Sequence, residues 1–208
     1  MRGAFYTFGM LVLACGITMN TKTGLGVSPI ISVPYSIAQI WGMNLGNLTF
    51  AVYTVFVLGQ AMLSRKMTLN FLLQLPLSLV FSRFLNIFDR ILPQSGPLLW
   101  EQLLMLAGAI SLTGLGIVLT VRTKLIPNPG DGIVHELSLV IHKSLGFSKN
   151  LFDLLNLCIS CTVGILGAGC LVGIGPGTVC TMLFTGRAVA LFSWLLAEPV
   201  LRLSGLAE

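Results

Sequence analysis

The chain has 208 residues, of which 55% are hydrophobic and only 9% are charged. A soluble domain carries about 25% charged residues, so this chain cannot cover a globular surface with polar side chains. We therefore expect a single membrane domain over residues 1–208, with no separate soluble enzymatic domain. The net charge of +5 reflects cations near span ends, and no aromatic–basic pattern indicates nucleic-acid binding.

Long uncharged stretches predict membrane-spanning helices. No charged residue lies between Lys22 and Arg65 or between Asp153 and Arg187, and about 20 apolar residues cross the hydrocarbon core. Because these runs are continuous rather than alternating, they indicate an all-α membrane protein rather than a β-barrel. In chain order the eight predicted helices cover residues 3–21, 29–43, 47–64, 68–92, 101–121, 130–144, 148–171 and 176–197.

Two homologous halves, residues 1–92 and 101–197, follow the same plan. Each half has a long helix, a Gly/Pro-rich break, a short helix and two further helices. An offset of 100 residues aligns Gly16 with Gly116, Ile17 with Ile117, Thr23 with Thr123, Leu25 with Leu125, Pro29 with Pro129, Leu45 with Leu145 and Gly46 with Gly146. An offset of 104 aligns Leu79, Arg83, Phe88 and Leu92 with Leu183, Arg187, Phe192 and Leu196.

The two short helices decide the number of spans. Fifteen residues extend ~22 Å, against a hydrocarbon core of ~30 Å. With eight spans the counted Lys and Arg residues divide five against five between the two sides, whereas with six they divide eight against two. Because cytoplasmic loops are enriched in cations, we predict six transmembrane helices, two short re-entrant helices and cytoplasmic termini. Eight spans are the alternative.

Three spans per half would place the halves in opposite orientations, the inverted-repeat plan common in transporters. The re-entrant helices would then begin deep in the membrane, where free N–H groups and the helix dipole attract an anion or a carbonyl oxygen. We predict that the two tips face each other and bind substrate; ordinary surface loops are the alternative. The predicted substrate-binding residues are Ser28, Pro29, Asn128, Pro129, Gly130 and Asp131.

The second short helix carries a second candidate cluster. Asp131, His135 and His142 fall on one predicted helical face, with Ser138 between them, and ionisable groups inside a membrane are costly and commonly functional. Asp131 can alternatively be an N-terminal cap. His135 can relay a proton or be a buried histidine with satisfied hydrogen bonds. The cluster lacks the ligand spacing of a metal site.

Asp153 and Arg187 form the third candidate. Both fall inside predicted spans with no charge between them in sequence, so we predict that they pair, in proton coupling or as a structural ion pair. The sequence contains no Ser–His–Asp order, metal signature or nucleotide fingerprint. We therefore expect no enzyme activity and no cofactor.

The run GLGVSPIISVPY at residues 24–35 is similar to the signature G-x-SPI-x-S-x-PY of small bacterial membrane proteins of the YczE/YyaS/YitT type. Later residues resemble the second-half pattern of that group, in which an acidic residue follows Pro-Gly and is followed by Phe-Asp and Gly-Thr. These residues are Asn128 to Gly132, Phe152, Asp153, Gly177, Thr178, Gly186 and Arg187. The resemblance implies a bacterial inner-membrane protein and carries no substrate with it.

The leading functional prediction is a small secondary transporter in which Asp131 or Asp153 carries a coupling proton. A passive channel for a small solute is one alternative, because paired half-helices also suit a pore. A non-transporting accessory protein that assembles or stabilises a membrane complex is another. The expected partners are the lipid bilayer and a small-molecule or ion substrate, and an oligomer is compatible with the sequence.

Overall fold

The computed structural model describes residues 2–123 and 125–196. In these residues it contains eight α-helices and no strand. The helices are α1 (Arg2–Thr21), α2 (Pro29–Trp41), α3 (Leu45–Ser64), α4 (Leu69–Ile91), α5 (Leu99–Arg122), α6 (Pro129–Ile141), α7 (Leu145–Ala168) and α8 (Pro176–Leu195). All eight predicted helices are confirmed. Residue 197, the predicted end of the last helix, lies outside the described residues, as do the cations Lys124 and Arg202.

Six of these helices, all except α2 and α6, are long and apolar enough to cross a membrane. The two others contain 13 residues each, which gives a length of ~20 Å, less than the ~30 Å of the hydrocarbon core. The protein is therefore a multi-pass helical membrane protein with two helices too short to span alone.

Local sequence explains several helix ends. Asn44 precedes α3 and its side chain accepts a hydrogen bond from the backbone N–H of Asn47 at 3.0 Å. Ser144 caps α7 in the same way, through the N–H of Phe147 at 3.3 Å. Gly169 ends α7 with a φ of 70°, a conformation that costs glycine little.

The helices form two compact units. The first unit comprises residues up to Ser28, Phe84–Leu125 and residues from Gly175 onward. In it, α5 packs against both α1 and α8. The second unit comprises Pro29–Arg83 and Ile126–Ile174. In it, α2 and α6 each pack against both α3 and α7.

Glycines allow α1 and α5 to approach closely in the first unit. A Cβ atom on Gly16 would lie 2.5 Å from the backbone nitrogen of Thr113, and one on Gly116 would lie 2.5 Å from the backbone nitrogen of Leu13. Small residues permit such backbone contact between membrane helices. Any larger residue at either glycine would force the two helices apart.

Polar contacts join the ends of the first-unit helices. The Lys22 ammonium lies 2.6 Å from the Asp89 carboxylate. The carbonyl of Lys22 also accepts a hydrogen bond from the N–H of Ser95 at 2.9 Å, which ties the α4–α5 connection to the end of α1. Arg122 donates to the carbonyl of Ser193 at 2.5 Å. Cations thus fasten the C-terminal ends of both α1 and α5.

The interior of the second unit combines an aromatic cluster with many polar side chains. The Tyr53 ring stacks on that of Phe81 at 6.0 Å, and the Phe56 ring meets that of Phe152 edge-on at 5.0 Å. The buried polar residues of this unit are Ser32, Ser36, Thr49, Gln60, Gln74, Ser78, Ser82, Ser148, Asp153, Asn156 and Ser160. Such polarity between apolar helices makes this unit the place to look for a functional site.

Candidate functional site

The N-terminus of α6 is built by Asn128 and Pro129. The Asn128 side-chain oxygen accepts a hydrogen bond from the N–H of Gly130 at 3.1 Å. The backbone carbonyl of Asn128 accepts one from the N–H of Gly132 at 2.8 Å. Pro129 occupies the first helical position, where its missing N–H has no cost. The cap is therefore Asn128 and not Asp131, which leaves the Asp131 carboxylate for other interactions in the first turn.

Asp131 belongs to a polar cluster of the second unit. Tyr53 is 1% exposed, shares a side-chain hydrogen bond with Asn128 and lies within the electrostatic field of Asp131. Burial raises the pKa of Asp131 above that of an ordinary carboxyl, and the nearby Lys149 ammonium opposes this rise. The arrangement favours a carboxyl that can hold a proton.

Asp153 is a buried carboxylate of this cluster. The Lys149 ammonium lies 3.3 Å from one carboxylate oxygen of Asp153, with exposed side-chain fractions of 44% for Lys149 and 4% for Asp153. Asp131 also interacts electrostatically with Asp153. One cation therefore serves two carboxylates, which leaves one net negative charge when both are ionised.

The predicted pairing of Asp153 with Arg187 is wrong. Asp153 forms its ion pair with Lys149 instead, because Lys149 stands one helical turn before it in α7, the spacing at which side chains of a helix meet. The Arg187 guanidinium instead lies over the Phe184 ring, 5.3 Å from its centroid, a favourable arrangement of a cation on an aromatic face.

The predicted ionisable face of α6 is only partly correct. His135 has a 61% exposed side chain, 3.7 Å from Glu136, which is the more buried of the two at 17%. His135 stands one helical turn after Asp131, a spacing that places both on one side of the helix, but its exposed side chain lies outside the buried cluster. His142 is exposed and ends the helix as its C-cap with a φ of 53°, so it does not continue that face. Ser138 donates back to the carbonyl of His135 at 2.7 Å.

The predicted tip residues are divided between the two units. Pro29 and Pro129 are both buried in the second unit, where the Ile30 side chain occupies the space that a side chain on Gly130 would need. The first turns of α2 and α6 are therefore in contact. Ser28 belongs to the first unit, and its N–H donates to the Asn20 side chain at 2.9 Å, so that N–H is already used.

A glutamine pair lies beside the α6 tip. Gln60 and Gln74 exchange two side-chain hydrogen bonds of 2.9 and 3.0 Å, and Gln60 also donates to the Pro129 carbonyl at 3.3 Å. A Cβ on Gly132 would lie 2.5 Å from the Gln60 side-chain oxygen, so this glycine makes room for the pair. Neither glutamine is among the residues predicted from sequence, although an amide in the middle of an uncharged stretch is a recognisable signal.

A serine seam joins α2 to α7. The hydroxyl groups of Ser36 and Ser160 lie 2.6 Å apart. Ser36 also donates to the Val172 carbonyl at 2.8 Å, and Ser160 donates to the Ser32 carbonyl at 3.1 Å. The seam satisfies its own hydrogen bonds and is structural, unlike the charged cluster at the start of α6.

Chemically, the cluster can hold and release a proton or bind a small polar group. Within residues 2–123 and 125–196, no three His, Cys, Asp or Glu side chains converge as a metal site would require. The groups that remain are two carboxylates, one ammonium, one phenol and the amide of Asn128. They lie in a unit otherwise formed by apolar helices, where ionisable groups have a high free-energy cost.

The fold and this cluster define a multi-pass helical membrane protein with a polar interior. The chain belongs to the family of unknown function DUF6198, which it matches over residues 1–194. It is 24% identical over 194 residues to the uncharacterized protein YyaS of Bacillus subtilis (strain 168), with 92% of each chain covered. None of the solved structures matches it. The resemblance to the YyaS-type group is therefore confirmed.

Proposed function

We propose that this protein is a small secondary transporter formed by two inverted repeats, with its substrate bound at the first turns of α2 and α6. The observation that carries this proposal is the cluster of Asp131, Lys149 and Asp153 inside an apolar helical unit. Ionisable groups inside a membrane protein commonly mark a substrate or proton pathway, because they destabilise the protein unless they serve a function.

Paired contacts in the first unit support the repeat. Gly16 lies against Thr113, and Gly116 lies against Leu13. Gly116 stands 100 residues after Gly16, and Leu13 stands 100 residues before Thr113, so the offset of 100 converts one contact into the other. A two-fold relation between the halves produces such exchanged pairs, whereas two unrelated helices have no reason to form them.

The second unit contains a pair of the same kind. Ser32 accepts a hydrogen bond from Ser160, and Gly132 lies against Gln60. The same offset of 100 residues exchanges these two contacts. Ile30, which lies against Gly130, meets its own counterpart, as residues close to a two-fold axis do. The serine hydrogen bond of one half thus corresponds to a glycine–glutamine contact of the other.

The ends of the first and last helices of each half extend this correspondence. Lys22 binds Asp89, while Arg122 binds the carbonyl of Ser193. The offset of 100 relates the two cations, and the offset of 104 relates their acceptors. These are the two offsets at which the sequence halves align.

An odd number of spans per half supports the inverted orientation. Each half supplies three helices long enough to cross a membrane and one of 13 residues. Two related halves with three crossings each must run in opposite directions. Under this proposal α2 and α6 are re-entrant from opposite sides, both termini are cytoplasmic, and the membrane is the bacterial inner membrane.

The coupling proton is assigned to the pair of carboxylates. With Lys149 charged, one of Asp131 and Asp153 is balanced and the other is free to exchange a proton. Asp131 stands in the first turn of α6, where the dipole favours a carboxylate. Protonation of Asp131 therefore changes the charge at the point where the substrate is proposed to bind, and this links the two events.

Proton flux in liposomes tests this function. The purified protein is reconstituted around a trapped pH-sensitive dye and exposed to a panel of amino acids, sugars, carboxylates and amines. We expect one class to drive proton entry, and we expect Asp131→Asn to abolish that entry. Asp89→Asn is the matched control, because Asp89 pairs with Lys22 in the other unit.

Two outcomes would contradict the proposal. Solute flux that moves no protons and is unchanged in Asp131→Asn would indicate a passive channel. Absence of flux for every class, together with unchanged co-purification of a membrane complex in Asp131→Asn and Asp153→Asn, would indicate an accessory protein.

A further inference from the structure

The first unit contains a cavity that the proposed transport site does not use. Its volume is about 400 Å³, and it lies between α5 and α8 with its outer side open. The walls are apolar, formed by residues such as Leu103, Leu106, Ile110 and Leu191. Ligand sites are typically cavities of ~300–1,000 Å³ with apolar walls and a few placed polar groups, and this cavity fits that description.

One charged residue, Arg187, lines this cavity, and its guanidinium lies over the ring of Phe184, which also lines it. Arg187 is the twelfth residue of the 20-residue helix α8, ~16 Å from its first residue and close to the middle of a span. In the part of the chain that the structure describes, its contact is the Phe184 ring, with no carboxylate or hydrogen-bond acceptor. A guanidinium at such depth is costly unless an acceptor is supplied.

Arg83, which aligns with Arg187 at the offset of 104, has a hydrogen-bond acceptor of the kind that Arg187 lacks. Arg83 donates a hydrogen bond to the side-chain oxygen of Asn47 at 3.2 Å. The residue at the offset of 100 from Asn47 is Phe147, whose side chain has no acceptor. The sequence thus supplies an acceptor for one arginine of the pair and none of this kind for the other.

We propose that the cavity between α5 and α8 binds a single-chain anionic amphiphile, with its carboxylate on Arg187 and its hydrocarbon chain along the apolar walls. Guanidinium and carboxylate are complementary in charge and shape and form bidentate hydrogen bonds. Leu103, Leu106 and Leu191 offer the hydrocarbon surface. A cavity of about 400 Å³ suits one chain rather than the two chains of a phospholipid. This site is independent of the transport proposal.

Photolabelling of the full chain in phosphatidylcholine nanodiscs tests this site. The probe is a diazirine analogue of palmitate at a pH above 8, where the carboxylate is ionised, and labelled peptides are mapped by mass spectrometry. We expect label on α5 and α8, displaced by palmitate and not by hexadecanol of the same chain length. Loss of the charge-assisted hydrogen bonds in Arg187→Gln should weaken binding at least about tenfold.

Two further variants keep the result interpretable. Arg83→Gln is the matched control, because it removes the related arginine and should leave labelling unchanged. Ala107→Phe fills the cavity and retains Arg187, so it should also remove the label if the chain lies there. Unchanged labelling in Arg187→Gln, equal competition by hexadecanol, or stronger competition by phosphatidylglycerol than by palmitate would each overturn the proposal.

Discussion

The short helices α2 and α6 have equal length, and each follows a long helix and a Gly/Pro-rich break, yet only α6 carries acidic or histidine side chains. Ile31 of α2 is completely buried, while the position 100 residues later is Asp131. Ser36 closes a hydrogen-bonded seam with Ser160, while position 136 is a glutamate. The comparison teaches that two short helices of one unit can differ in composition and role: α2 packs the unit, and α6 carries the carboxylate on which the proposed transport depends.

The largest expected effect separates these two roles directly. Asp131→Asn should lower coupled uptake by about 100-fold or more, because a positioned proton carrier contributes on that scale, and should leave the fold intact. Ile31→Val, at the equivalent position of α2, should leave the uptake rate within a few-fold of the parent. Initial rates in proteoliposomes, normalised to reconstituted protein, measure both. Equal losses in the two variants would abolish the distinction between the helices.

Contact between the two tips predicts the next effect. Gly130→Ala places a methyl group where the Ile30 side chain lies, so it should lower the free energy of unfolding by about 1–3 kcal/mol. Ile30→Ala removes the clash, so the double variant should recover part of that loss. Denaturant titration of all four proteins measures the coupling. Strict additivity of the two single changes would show that the tips do not touch.

Removal of the serine seam tests the structural role of α2. Ser36→Ala removes the hydrogen bond to the Val172 carbonyl and the contact with Ser160, and should cost about 1 kcal/mol of stability without changing the proton dependence of transport. Ser138→Ala on α6 is the matched control, since the Ser138 hydroxyl donates to a carbonyl of its own helix, that of His135. A changed pH profile in Ser36→Ala would instead place α2 in the chemistry.

The smallest expected effect is on the pH dependence of stability. Burial holds the pKa of Asp131 above its value in the unfolded chain, so between the two pKa values the folded state binds more protons. Stability contributed by this group is therefore fully present below about pH 3.9 and is lost as the pH rises through the folded-state pKa. The difference between the unfolding midpoint of the wild type and that of Asp131→Asn should become smaller as the pH rises. A difference that rises would reverse the sign of the shift.

Most of the fold follows from local sequence signals. Uncharged stretches locate the long helices, and Pro129 and Pro176 begin helices where a missing N–H has no cost. Helix ends depend on short-range hydrogen bonds, such as that of Ser144 to Phe147, and such bonds are readable from neighbouring residues. This explains why short and long helices were both located from sequence.

The site was predicted less completely, because burial and partner choice are properties of packing. Asp131 could be selected from sequence, but the exposure of His135 depends on which narrow stripe of α6 faces its neighbours. Lys149 was overlooked although its spacing from Asp153 is a local rule. Tyr53 joins Asn128 from 75 residues away, and no pattern within one helix could have indicated that contact.

Cysteine accessibility on either side of the membrane tests the central claim of inverted halves most directly. Met43 and Lys143 follow the two short helices and are exposed, and each is changed to Cys after replacement of Cys15, Cys158, Cys161, Cys170 and Cys180. We predict that an impermeant thiol reagent labels Met43→Cys in intact cells and labels Lys143→Cys only after the membrane is opened. Labelling of both positions from the same side would contradict the inverted arrangement and the facing re-entrant tips.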